Sequence, residues 1–205
     1  MKIESIEITN TGYINCRSCY YTTCDVFSGL LTYHFISGLN IRTGDIDSEI
    51  WGISYLLSMY QYDRNKKNQK CLFSPLTVTV NNHIVDLERF WPCSCYMDEI
   101  YPLFASKRTV EHQVLKGIKK NGFKETPEEI REMFHIDKNR FMRPLSGVGN
   151  EKFRCMAAIG YVNRKEVFCF PWLSRRRFDG FHKHMEDLFD ILCSLEKILI
   201  VPLGY

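Results

Sequence analysis

Apolar and polar positions along this chain alternate with two different periods, and the switching predicts strands interleaved with helices. Near the N-terminus Ile6 and Ile8 alternate with Ser5 and Glu7, which predicts a first strand; Ile3 falls in the opposite phase and leaves its apolar face open. The run "LLTYHFISG" is apolar and rich in β-formers, and predicts a buried strand that ends in a loop at Gly38. From Asp47 or Ser48, either able to cap, Ile50, Ile53, Leu57 and Tyr60 recur on one helical face. The charged stretch "RNKKNQK" breaks that pattern as a solvated loop. "LTVTV" and "HIVDL" then flank Asn81-Asn82, a hairpin signal because asparagine tolerates the positive φ of tight turns.

The middle third is helical. Val110, Val114 and Ile118 share a face before a stop at Gly122. "TPEEIREMF" places Thr126 as cap, Pro127 in the first helical position and Glu129 as the closing member of a capping box. After "RPLSGVG" come a helix of small residues, the short buried strand "VFCF", a helix with Phe181, Met185, Leu188, Phe189 and Leu192 on one stripe, and the strand "KILIV". The expected architecture is α/β: one domain over residues 1–205 with a mainly parallel sheet, an antiparallel hairpin and a small helical subdomain at about residues 103–147.

Composition bounds what such a domain does. With 205 residues, 45% hydrophobic and 14% aromatic, the chain buries a substantial core. The formal charge of +3, from 27 basic and 24 acidic residues, argues against a nucleic-acid partner for the molecule as a whole. No apolar run approaches the roughly 20 residues that span a bilayer, and "MKIESIEITN" lacks the apolar centre of a signal peptide, so a soluble cytoplasmic protein that meets membranes only through a partner is expected. Nine cysteines, an odd number without an export signal, point to reduced thiols. Among them Cys16 and Cys19, with Cys24 close by, and the pair Cys93 and Cys95 have spacings that could hold zinc, if the fold brought the two pairs together.

Taken in order, Ser28-Gly29 before "LLTYHFISGLN", the hairpin, "TVEHQVLKGI", "LSGVG", "VFCF" and "KILIV" resemble the successive elements of an ABC transporter nucleotide-binding domain, of the P-loop NTPase type. The resemblance covers nearly the whole chain and implies an ATP site, with departures. In the family, glycines, a lysine and a hydroxyl cradle the phosphates and Mg²⁺ after the first core strand. Here Gly38, Asn40, Arg42 and Gly44 are the residues that match such a loop. No lysine lies between Leu31 and Asn65, Asp45 and Asp47 add negative charge, and Arg42 is the only stand-in cation in the loop. The family follows a buried strand with an Asp for the metal and a Glu for water; "VFCF" is followed by Pro171 and Trp172, and Glu166 precedes it. A family histidine after the last strand is replaced by Pro202 and Leu203.

The signature-type loop is better kept. Leu145, Ser146 and Gly147 match, and the resemblance implies that Ser146 and Gly147 contact ATP held by an opposite subunit. The plainer reading is that Ser146 caps the following helix. The expected function is a catalytically degenerate ABC-type subunit with no cofactor of its own, regulatory or structural partner of a competent ATPase or transporter subunit, a second copy of the chain being another candidate. Two alternatives stay open: an ATP-binding subunit that retains weak nucleotide binding through the altered loop, and a zinc-stabilised adaptor.

Overall fold

The computed structural model describes residues 2–10, 14–15, 31–43, 54, 57–58, 72–73, 76–98, 101–171 and 173–204. Two four-stranded sheets carry the fold. In the first, β1 (Ser5–Asn10), β3 (Leu31–Ile36), β6 (Leu76–Val80) and β7 (His83–Val85) pair antiparallel in the order β3-β1-β6-β7. The phase of β1 is now settled: Ile6 and Ile8 are buried against Phe35, Val78 and Val80, while Glu7 is exposed. Asn81 and Asn82 turn the β6–β7 hairpin with φ of 49° and 64°, the double positive φ that the dipeptide predicts. A separate two-stranded ladder pairs β2 (Ile14–Asn15) with β5 (Leu72–Phe73).

The second sheet is parallel, in the order β4-β10-β9-β8, with β4 Gly38–Thr43, β8 Ser94–Tyr96, β9 Val167–Cys169 and β10 Ile198–Leu203. Every residue of β10 is buried, as expected for a strand covered on both faces. Here the expectation of a loop at Gly38 is corrected. Gly38 turns the chain at a φ of 99°, its N–H donates to the Lys197 carbonyl, and the chain at once forms a new strand in register with β10, from Gly38 opposite Ile198 to Thr43 opposite Leu203. Likewise Pro202 and Leu203 lie inside β10 rather than beyond it.

Asp86 caps a short helix, α1 (Leu87–Phe90), by accepting from the Glu88 N–H. Phe90, Trp91 and Tyr96, aromatic residues available in principle for docking, are all buried. The stretch between β8 and the small-residue helix holds α2 (Val110–Asn121), α3 (Pro127–Met133) and α4 (Lys138–Phe141), one helix more than the sequence predicts. Gly122 ends α2 in the left-handed conformation. Around α3 the capping box is complete: Thr126 Oγ1 accepts from the Glu129 N–H, and the Glu129 carboxylate accepts from the Thr126 N–H at 2.7 Å. Thr126→Ala is expected to lower stability by about 1 kcal/mol, read from a urea melt.

The small-residue helix α5 (Lys152–Val162) packs directly on the parallel sheet. A Cβ at Gly160 would lie 2.7 Å from the Phe168 ring, so glycine there sets how closely α5 approaches β9. The last helix, α6 (Arg175–Ser194), holds Arg175 and Arg176 in its first turn, and Arg175 pairs with Asp179 one turn on. Met185, Leu188, Phe189 and Leu192 form its buried face. No described helix is long and apolar enough to cross a membrane.

Candidate functional site

In an open parallel sheet, ligands bind outside the carboxyl ends of the strands. The described residues at those ends are Thr43 at the end of β4, Met97 and Asp98 after β8, Phe170 and Pro171 after β9, and Leu203 and Gly204 at the end of β10. Phe170 is fully buried. Its N–H donates to the Ile200 carbonyl, and its own carbonyl accepts from the Ser54 hydroxyl at 2.8 Å. Its ring sits 5.6 Å from Phe153 of α5 and 5.5 Å, edge to face, from Phe189 of α6, which stacks in turn on Phe178. The tip of β9 is thus closed by aromatic rings from three elements.

Among the described residues, acidic groups are sparse at this edge. Glu166 lies at the opposite, N-terminal end of β9, where its carboxylate holds the Lys197 ammonium at 2.9 Å. The described carboxylate at the carboxyl edge is Asp98, just after β8, whose carbonyl accepts from the Tyr101 N–H. Sequence reasoning missed it. "SCYMD" shows a polar residue directly after a short apolar run, but β8 is only three residues long and β-periodicity does not reveal it.

The residues expected to form a phosphate loop lie in a strand. Asn40 is 6% exposed. Its amide Nδ2 lies 2.8, 3.0 and 3.2 Å from the carbonyls of Ile36, Gly38 and Leu199, and its Oδ1 accepts from the Ile36 N–H. Asn40 therefore ties β3, the turn and β10 together through both ends of its amide. Arg42 turns back onto the antiparallel sheet: it donates to the His34 carbonyl at 3.2 Å and its guanidinium lies 6.0 Å from the centre of the Phe35 ring. Gly44 follows directly on β4 and, with Asp45 and Asp47, lies outside the described residues.

Leu145, Ser146 and Gly147 form a single 3-10 turn in which Leu145 is buried and the other two are exposed. The capping reading of Ser146 is corrected: that turn has no side-chain cap, and α5 starts only at Lys152 with Glu151 at its N-cap position. Arg140 holds the segment by donating to the Val148 carbonyl and pairing with Glu151 at 3.4 Å.

Of the four cysteines considered for zinc, Cys16 and Cys19 lie outside the described residues. Cys93 is partly exposed at the end of a 3-10 turn, whereas Cys95 is fully buried in β8. Burial pushes the Cys95 thiol up to about 12, the Lys165 charge opposing that only in part. Among the described residues no three His, Cys, Asp or Glu side chains gather as metal ligands.

No family model matches the chain, and no curated protein matches it by sequence. Solved structures do match it. The protein cbiO1 from Clostridium perfringens, part of the ABC transporter complex cbiONQ, is 14% identical at a TM-score of 0.57, with 98% of this chain and 79% of that chain covered. A bacterial Atm1-family ABC exporter with ATP bound gives 9% identity and a TM-score of 0.59 over 100% of this chain and 35% of the exporter. The ATP-binding subunit of an ABC transporter gives 9% and 0.53, covering 97% of this chain and 78% of its own. Likenesses at identities this low carry the fold alone: the chain has the fold of an ABC transporter nucleotide-binding domain.

Proposed function

We propose that this domain is a catalytically degenerate ABC-type subunit that acts on a competent ATPase or transporter subunit rather than hydrolysing ATP itself. The observation that carries the reading is the tip of β9. ABC-type ATPases place a metal-binding Asp and a water-orienting Glu there, because phosphoryl transfer depends on metal charge and a positioned nucleophile. In this chain the strand runs into buried Phe170 and then Pro171, neither able to bind Mg²⁺ or accept a proton.

The cradle for a triphosphate fits no better. The one cation of β4, Arg42, is engaged with His34 and Phe35, and Asn40 has its amide committed to backbone carbonyls. Mg·ATP is therefore a poor match to the described residues at this edge, and no catalytic step is derived through it. An ATP-binding subunit using Arg42 is the less supported alternative for the same reason. The exposed Ser146-Gly147 turn, its shape fixed by buried Leu145 and by Arg140, is the surface through which the domain would complete a site on another subunit.

A steady-state Mg·ATP hydrolysis assay on the purified chain tests the reading. Phosphate release is expected to stay at the level of a protein-free control. Turnover proportional to protein concentration and abolished by Arg42→Ala would replace this reading with that of an active or ATP-binding subunit.

A further inference from the structure

A cavity of about 470 Å³ opens between the segment after β8, helix α2 and the end of α5. This size is within the roughly 300–1,000 Å³ of small-molecule sites. Its walls are basic: Arg108, His112, Lys116 and Lys120 line it, and among the described residues no carboxylate does. His112, Lys116 and Lys120 follow one another at i, i+4 and i+8 along α2, all three exposed on the side that faces the cavity. Lys116 and Lys120 are like charges one turn apart and repel each other, although Lys120, in the last turn of α2, is also favoured by the helix dipole.

The surroundings hold these groups in place. Buried Gln113 donates from its side-chain amide to the Arg108 carbonyl at 3.1 Å, and the Arg108 N–H donates to the Ser106 hydroxyl. Gly117 lets α2 press against α5, since a Cβ there would lie 2.5 Å from Val162. Lys165, outside the cavity lining, is 9% exposed, with its ammonium 2.8 Å from the Pro92 carbonyl. Burial, and in smaller part the charge of Lys120, hold Lys165 below the usual lysine range. Pro102, Leu103 and Ile159 give the cavity an apolar part.

We propose that this cavity binds a soluble small molecule rich in phosphate, with Arg108, Lys116 and Lys120 on the phosphates and the apolar wall against the rest of the ligand. A concave, preformed pocket with several converging cations suits a compact polyanion, whereas a nearly balanced net charge of +3 does not suit a nucleic acid lying across the surface. The site is independent of the nucleotide reading above, because its lining includes none of the residues at the strand tips.

Calorimetric titration of the whole chain with sodium tripolyphosphate, without Mg²⁺ and at low salt, tests it. Saturable binding is expected, weakening as salt is raised and at least tenfold weaker in the K116Q/K120Q double variant. Arg108→Gln is expected to weaken it as well, and circular dichroism checks that each variant is folded. Absence of saturable heat with the unmodified chain, or equal affinity in folded K116Q/K120Q and R108Q, would overturn the proposal. Tighter binding of an oligoglutamate peptide than of tripolyphosphate would also overturn it and assign the cavity to an acidic protein segment.

Discussion

Replacing Phe170 by alanine is expected to cost about 3–5 kcal/mol of folding stability. Phe170 is fully buried at the tip of β9 and its ring touches α5 through Phe153 and α6 through Phe189. Truncation removes the transfer energy of the ring and leaves a cavity between elements far apart in sequence, which cannot easily collapse. The backbone bonds to Ile200 and Ser54 survive the change, so the measured loss reports the ring alone. For a chain of this size the melting temperature should fall by roughly 6–20 °C. A urea midpoint that moves by less than the equivalent of about 1 kcal/mol would mean that the β9 tip is not a packed aromatic seal, and would reopen it as a place for a ligand.

Asn40→Ala carries the second large effect, about 2–3 kcal/mol, for a different reason. The side chain is 6% exposed and serves four backbone groups: the N–H and carbonyl of Ile36 and the carbonyls of Gly38 and Leu199. Alanine leaves several of these desolvated without a partner, and it loosens the crossing from the antiparallel sheet into the parallel one. Asn40→Asp is expected to do no better, since a carboxylate cannot donate to the three carbonyls and would bury a charge among them. Chemical denaturation of both variants decides the matter. Unchanged stability in either would mean that Asn40 is not a structural clamp.

Much of the fold was legible because its signals are local. Asn81-Asn82 needs positive φ at both positions, and Thr126, Pro127 and Glu129 satisfy their own backbone within one turn, so each can be recognised without knowing what packs around it. β4 was not legible. Asn40 and Arg42 look like loop residues until β10 supplies the pairing strand and Leu199 an acceptor, a contact 159 residues away in sequence. The start of α6 was not legible either, because Arg175 and Arg176 carry no apolar period and only the pairing of Arg175 with Asp179 places them in the first turn.

The candidate site divides in the same way. The missing carboxylates after "VFCF" were visible as residue identities, whereas Asp98 after β8 and the basic stripe His112, Lys116 and Lys120 became meaningful only with the sheet order and the cavity in view. The cysteine spacing carried no information on burial, which sets Cys95 apart from Cys93.

The most direct test of the central claim is calorimetric titration of Mg·ATP into a variant carrying R108Q, K116Q and K120Q together, which removes the three cations assigned to phosphate in the basic cavity. The account predicts no saturable heat at millimolar nucleotide. Saturable binding that Arg42→Ala abolishes would contradict it, and would show that the segment after β4 is a working nucleotide site.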